Sequence, residues 1–351
     1  MGEEDLARTG QRHPARCPQE EGRSELVFQA ADLSADRRLR DPQIGRRATD
    51  VPFLGDGDEV LDLGEAHRPI VLPNARLRHR RRARSKGYWT LAPHDDHSCP
   101  MTVESHGPRE IVSLRRAGQA AAATLAFVGA RLRAGVTTAD IDAWVRDHTT
   151  QLGGAPSQLG YHGFPAAVCT SVNDVVCHGV PRRDAVLRPG DIINVDVTTK
   201  LGGFHGDTSA TFLIGETSTE ARFLVDVARR CRDAGVAVVR DGARLGDIGA
   251  AIQELAEREG CSVVRDFGGH GIGRKMHMEP HVPHFGTVGA GMRLRAGMVL
   301  TIEPMINLGG PAVRVLDDGW TVVTADGSLS AQFEHTVLVT REAFEVLTNT
   351  P

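Results

Sequence analysis

The sequence predicts an α+β fold made of two related halves, on three observations. From Pro108 onward, Ile111, Leu114, Gly118, Ala121, Leu125, Val128 and Leu132 recur at the spacing of an amphipathic helix. Further along, runs rich in Val, Ile, Thr and Phe are separated by glycine turns, as antiparallel strands require. Finally, RAGVTTADIDAWV is echoed by RDGARLGDIGAAI, with Arg133, Gly135, Asp140 and Ile141 answered by Arg240, Gly242, Asp247 and Ile248, each 107 residues on.

Residues 1–100 come before this pattern and lack it. They are rich in Arg, Asp, Gly and Pro and poor in periodic apolar segments, which predicts a disordered, Arg-rich extension and a folded domain over residues 101–351. Within the extension, Arg76 to Lys86 (RLRHRRRARSK) reads as a solvated charge run or as a contact for RNA or a ribosome. Pro108 is placed to begin the first helix and Gly135 to end it. Thr137 and Asp140 form a capping pair for a second helix with an apolar face of Ile141, Trp144, Val145 and His148. Strands are expected over residues 167–176, 191–199 and 204–214, and Gly202-Gly203 turns the last two into a hairpin. A helix over about residues 220–239 leads into the echoed segment, and strands follow over residues 263–267, 298–307, 321–324 and 330–340.

With 40% hydrophobic and 25% charged residues, the 351-residue chain has globular composition, which excludes fibrous and membrane classes. A net charge of −4 gives no overall attraction to DNA or anionic lipid. The N-terminus MGEEDLARTGQ has no apolar core of a signal peptide, and the apolar stretch around Ala120 to Ala130 is too short to cross a bilayer. A cytoplasmic protein is expected. Its six cysteines, Cys17, Cys99, Cys169, Cys177, Cys231 and Cys261, form no CxxC pair or zinc-finger spacing and read as free thiols.

Five side chains carry the chemistry: Asp196 in INVDVT, Asp207 in HGDTSAT, His270 in GGHGIG, Glu303 in TIEPMI and Glu334 in AQFEHT. Ile192, Ile193, Val195 and Val197 surround Asp196, and Val299, Leu300 and Ile302 precede Glu303, so these acids fall in strands that should be buried. Burying an uncompensated carboxylate costs roughly several kcal/mol, and its usual partners are a cationic side chain or a metal. No Lys or Arg lies within two residues of any of the four acids. A hydrogen-bonded core carboxylate would account for one of them, whereas four with an imidazole fit two divalent ions. Strand alternation puts Asn194, Asp196 and Thr198 on one face, and the hairpin sets Asp207 on the neighbouring strand. Hard oxygen donors with one imidazole favour Mn, Fe(II), Co or Zn, and such a pair suits amide hydrolysis by an activated water.

His178 in VCHGVP and His277 in GRKMH stand beside turn residues in the same stretches, while His162 in GYHGFP reads as a structural histidine. GGHGIG matches neither GxGxxG nor GxxxxGK[ST], there is no GxSxG elbow, and Cys169 and Cys177 lie in an apolar strand. Phosphate binding and serine or cysteine nucleophiles are therefore disfavoured.

Taken together, GYHGFPAAVCTSVNDVVCHGVP, INVDVTTKLGGFHGDTSATF, GGHGIGRKMHMEP, LTIEPMIN and DDGWTVVTADGSLSAQFEHTVLVT closely resemble the type I methionine aminopeptidases of bacteria, from about Met101 to the C-terminus. The resemblance implies the pseudo-twofold "pita-bread" fold, a curved antiparallel sheet flanked by helices. It implies removal of the initiator methionine from nascent proteins whose second residue is small, with transient contact to the ribosome. By the same resemblance, Asp196 binds one of two divalent ions (Co, Fe(II), Mn or Zn), Asp207 and Glu334 bridge them, and His270 and Glu303 complete the other. A monovalent cation near Asn173, Val175 and Ser330 is also allowed. Glu303 would shuttle a proton, His178 would contact the scissile amide nitrogen, and His277 would steady the oxyanion. Tyr161, Phe164, Cys169 and Trp320 match the family's methionine pocket.

Met276 stands where an aromatic is common, Gln158 replaces a small pocket-side residue, and residues 1–100 have no counterpart in the short bacterial forms. Met101, just ahead of Pro108 and followed by the small Thr102, is therefore the expected functional start. Two rival readings are a proline-directed aminopeptidase or prolidase, which uses the same ligand types, and a metal-free, ribosome-associated binding protein. CHGVP, DDGWTVVT and the intact ligand set argue against both.

Overall fold

Two helices open the described chain, which comprises residues 103–349 of a computed structural model. The expectations for residues 1–100, for the run Arg76 to Lys86 and for a start at Met101 lie outside the described residues. Helix α1 (Pro108–Gly129) begins with proline in its first turn, as the sequence predicts, and Glu110 accepts a hydrogen bond from the Gly107 N–H at 3.3 Å. It stops well short of Gly135. A Cβ on Gly129 would meet the Phe212 ring at 2.5 Å, and residues 135–137 pair instead with residues 186–187. Tertiary pairing thus takes backbone groups that a longer helix would have used. Helix α2 (Thr138–Gln151) has the expected capping box: Thr137 Oγ1 accepts from Asp140 N at 3.1 Å, and Asp140 Oδ2 accepts from Thr137 N at 2.9 Å.

The chain continues through β1 (Ala155–Pro156), β2 (Cys169–Val172), β3 (Val175–Cys177) and the hairpin of β4 (Ile192–Leu201) and β5 (Phe204–Leu213). Gly202 and Gly203, both at positive φ, form its two-residue turn. Helices α3 (Thr219–Ala237) and α4 (Leu245–Arg258) follow. The remaining strands are β6 (Ser262–Val263), β7 (Gly269–Gly271), β8 (Met278–Val282), β9 (Val299–Ile302), β10 (Met305–Asn307), β11 (Val313–Val315), β12 (Val322–Thr324), β13 (Ser330–Gln332), β14 (Glu334–Val339) and β15 (Phe344–Val346).

A nine-stranded antiparallel sheet runs β1-β4-β5-β14-β9-β7-β8, with β2 beside β4 and β15 beside β14; β13-β10-β6 and β11-β12-β3 form two smaller sheets. Three segments expected as single strands are each broken. Asn173, at φ 55°, divides β2 from β3. Glu303-Pro304 divides β9 in the large sheet from β10 in a small one, and Phe333 divides β13 from β14 in the reverse direction. These breaks are corners where the chain changes sheet. The strand expected over residues 263–267 also shrinks to β6, because its partner β10 is preceded by Pro304, which has no N–H to extend the ladder.

The echo in the sequence is a repeat in the structure. Helices α2 and α4 have the same length, 14 residues, and start 107 residues apart. Gly135 and Gly242 share φ values of 89° and 88°, and Gly190 and Gly297 share 98° and 95°. The bridges Thr137↔Val186 and Arg244↔Arg293 correspond under the same offset. So do Asp196 and Glu303.

Behind the large sheet, Val195 and Val197 pack with Ile141 and Val145 of α2, while Leu300, Ile302 and Val337 pack with Leu224, Ile248 and Ile252 of α3 and α4. Helix α1 crosses β5 so closely that a Cβ on Gly206 would overlap the backbone of Ala117 and Gly118. Gly206→Ala is therefore expected to lower the unfolding free energy by about 1–3 kcal/mol, the usual cost of overpacking. Urea denaturation of the variant checks this, and an unchanged midpoint would contradict the close approach.

Candidate metal centre

The hairpin register, Asp196↔Ser209 and Thr198↔Asp207, makes Asp196 and Asp207 diagonal neighbours on one face of the sheet. Glu334 opens β14 opposite Ser209, Glu303 follows β9 at the sheet corner, and His270 is the middle residue of β7. Ligand atoms of Asp207, His270 and Glu334 all lie within 4.8 Å of one another. Glu303 Oε1 is 3.5 Å from His270 Nε2, which is 3.9 Å from Asp207 Oδ2, and Asp196 lines the same cleft beside them. The structure thus gathers all five expected ligands.

Among the described residues, no Lys or Arg forms an ion pair with any of these acids. Their immediate partners are neutral. Thr198 Oγ1 donates to Asp207 Oδ1 at 2.7 Å, Thr301 Oγ1 to Glu303 Oε1 at 2.8 Å, and Gln332 Nε2 to Glu303 Oε2 at 3.3 Å. Gln158 Nε2 donates to the Asp196 carbonyl at 3.0 Å and to its Oδ1 at 3.2 Å. Glu334 Oε1 is buried without a hydrogen bond. His270 Nδ1 lies 3.0 Å from the Gly271 carbonyl, so Nδ1 carries the proton and Nε2 presents its lone pair to the acids.

Burial pushes all four carboxyls up: Asp207 to about 7, against hydrogen bonds that lower it, and Glu303 to about 8 and Asp196 and Glu334 well above the usual range, with repulsion from neighbouring carboxyls adding to the effect for these three. Burial likewise pushes His270 down to about 4. An unpaired acid cluster, an orphaned carboxylate oxygen and a neutral imidazole with its lone pair turned inward fit a divalent cation.

One cleft surrounds the cluster, and it brings in the other expected residues, Tyr161, Phe164, Cys169, His178, His277 and Trp320. Phe164 and Trp320 pack edge to face at 5.1 Å, and Cys169 is buried beside them. His178 adopts φ 55°, lies edge-on to Phe267 at 5.6 Å, and has a buried Nδ1 without a partner. His277 Nδ1 is 2.8 Å from Tyr161 Oη. His162, expected to be structural, also lines the cleft and is exposed at φ 49°. Gln158 and Met276, the two departures from the family pattern, line it too.

Sequence reasoning missed Phe267, Met305, His281 and Gln332, which also line the cleft. Gln332 could have been found by alternation, two residues before Glu334; nothing local marks the other three. The four described cysteines, Cys169, Cys177, Cys231 and Cys261, are buried free thiols, as expected. Among the described residues, no helix is long and apolar enough to cross a membrane.

Comparison with known proteins bears directly on this arrangement. Residues 112–341 match Metallopeptidase family M24. Methionine aminopeptidase A of Synechocystis sp. is 52% identical over 247 residues, covering 70% of this chain and 98% of its own length. The chain is a type I methionine aminopeptidase of family M24. The methionine aminopeptidase of Escherichia coli (strain K12) is 43% identical over 249 residues, 71% of this chain and 94% of its own. The crystal structure of methionine aminopeptidase from Rickettsia prowazekii matches with a TM-score of 0.70 at 44% identity, over 71% of this chain and all (100%) of that one. With them this enzyme shares the pita-bread fold and a dependence on divalent metal. Prolidase from Pyrococcus furiosus, at 18% identity and a TM-score of 0.55, shares the fold alone.

The raised carboxyl pKa values have a consequence for the metal-free enzyme. A carboxyl whose folded pKa exceeds its unfolded value, about 4, stabilises the fold at low pH and loses that contribution as pH rises through the folded pKa. Glu303, at about 8, together with Asp196 and Glu334, both raised well above their usual range, places this loss at neutral to mildly alkaline pH. The depressed histidines are neutral in both states there and do not oppose it. After EDTA treatment, the melting temperature is expected to fall between about pH 7 and about pH 8.5, and Mn(II) is expected to abolish the fall. A flat profile without metal would contradict the burial of unpaired acids.

Proposed function

We propose that this enzyme removes the initiator methionine from nascent proteins whose second residue is small, acting in the cytoplasm in transient contact with the ribosome. The observation that carries the proposal is the meeting, in one cleft, of buried acids that pair with no cationic side chain among the described residues and a slot walled by aromatic rings and a thiol. Asp196, Asp207, His270, Glu303 and Glu334 would hold two divalent ions drawn from Co, Fe(II), Mn and Zn. When bound, such ions supply Lewis acidity, lowering the pKa of a water and polarising a carbonyl.

The chain's own groups do the rest. Tyr161, Phe164, Cys169 and Trp320 take the unbranched thioether, which suits a soft apolar slot with aromatic edges. Glu303, its two oxygens oriented by Thr301 and Gln332, takes the proton that passes from the attacking water to the leaving amine. His178 contacts the scissile amide nitrogen from a backbone turn that aims its ring into the cleft. His277 donates to the developing oxyanion. Phe267 and Met305 bound the cleft beside the acids, which supports the requirement for a small second residue. Ser330, whose hydroxyl is buried without a partner, and the left-handed Asn173 support a monovalent cation nearby.

Metal-reconstituted enzyme is expected to cleave Met-Ala-Ser and to leave Ala-Pro intact; the reverse would favour a proline-directed peptidase. Peptides with Gly, Ala, Ser or Thr second should be cut and those with Lys, Glu or Leu second spared. Glu303→Ala and His178→Ala are each expected to lower kcat by about a hundredfold or more with the fold retained by circular dichroism, as loss of a proton-transfer or positioning group does. Near-normal turnover in either variant would remove that residue from the mechanism.

A further inference from the structure

We propose that Tyr161 is a positioning residue that sets the tautomer of His277, beyond its place in the methionine slot. The inference rests on the reading of His277 as donor to the oxyanion. His277 Nδ1 lies 2.8 Å from Tyr161 Oη, and the two rings are tilted at 59° with centroids 5.0 Å apart. On its other side the imidazole stands edge-on to His270 at 4.2 Å and 81°, which fixes the plane of the ring.

Two proton arrangements satisfy this contact, and they have opposite consequences. Where the phenol donates to Nδ1, the ring proton of His277 sits on Nε2, which can then donate to an oxyanion. Where Nδ1–H donates to the phenol, Nε2 is a bare lone pair and would repel that oxyanion. Only the first arrangement makes His277 useful to amide hydrolysis. A phenylalanine would fill the apolar slot as well as Tyr161 does, so the hydroxyl is the part of this side chain that the slot leaves unexplained.

The backbone holds Tyr161 to this task. It sits in a tight turn with Gly160 at φ 78°, His162 at φ 49° and Gly163 at φ 91°. Tyr161 N bonds the Gln158 carbonyl at 3.0 Å, Gly160 N bonds Phe164 O at 2.9 Å, and Phe164 N bonds Tyr161 O at 2.9 Å. A left-handed histidine is a strained residue that persists only where its surroundings over-determine it. Gln158, on the same turn, donates to the Asp196 carboxylate. One turn therefore orients both a metal-ligand candidate and the partner of the oxyanion donor.

The test compares wild-type enzyme, Tyr161→Phe, His277→Ala and the double variant on Met-Ala-Ser after reconstitution with Mn(II). Tyr161→Phe is expected to lower kcat by about tenfold or more while KM stays within about twofold, a smaller loss than removing an oxyanion donor outright. In the His277→Ala background the same substitution should cost nothing further, since the hydroxyl acts through that ring. Long-range proton–nitrogen NMR of the metal-free protein gives a readout independent of turnover. His277 should show a proton on Nε2 in the wild type and lose that fixed tautomer in Tyr161→Phe. Wild-type kcat in Tyr161→Phe, an additive loss in the double variant, or a proton on Nδ1 in the wild type would each overturn the proposal. A wild-type enzyme inert toward every Met-initiated peptide would instead overturn the reading of function, while the nitrogen spectrum would still report the tautomer.

Discussion

Four carboxylates buried together, with no arginine or lysine among their partners in the described residues, are the constraint on which the rest of this structure depends. In a medium of low dielectric such groups repel one another and are costly to ionise, so the bare fold holds them with raised pKa values and a cage of neutral donors. Thr198, Thr301, Gln158 and Gln332 orient the acids without neutralising them. A guanidinium in any of those places would satisfy the charge internally and compete with a metal. The apolar residues behind the sheet, among them Val195, Val197, Leu300 and Val337, keep the strands in place under this strain.

The repeat explains how the acids come to face one another. Asp196 and Glu303 occupy corresponding positions in two halves offset by 107 residues, and the halves meet where β5 pairs with β14, at Ser209↔Glu334. Correspondence of the backbone does not extend to the side chains. One half supplies Asp196 and Asp207 from a continuous hairpin; the other supplies Glu303 and Glu334 from strands interrupted at a proline and at Phe333. The longer glutamates reach inward from these corners, where an aspartate would stop one methylene short.

Backbone strain gathers around the same cleft. The only residues other than glycine at positive φ among those described are His162, Asn173 and His178. His162 and His178 line the cleft directly, and Asn173 divides the two strands that carry Cys169 and Cys177. Left-handed conformations are costly for such side chains and are kept where they aim a group that an ordinary strand would turn away. The turn at His178 is held tightly, since a Cβ on the following Gly179 would overlap the Thr170 carbonyl.

Sequence alone determined the features that depend on local spacing. The capping pair at Thr137 and Asp140, the Gly202-Gly203 hairpin, the shared face of Asp196 and Thr198, and the choice of hard ligand types could all be read because each is set within a few residues by backbone geometry and donor chemistry. The 107-residue echo exposed the repeat for the same reason, since equivalent turns need equivalent glycines. Tertiary structure decided what spacing does not encode. It ended α1 at Gly129 rather than Gly135, broke three expected strands at sheet corners, and turned Phe267 and Met305 into the cleft. It also joined Tyr161 to His277 across 116 residues and Gln158 to Asp196 across 38. Those outcomes depend on which surfaces meet when the halves pack, and a contact between distant residues leaves no periodic trace in the chain that makes it.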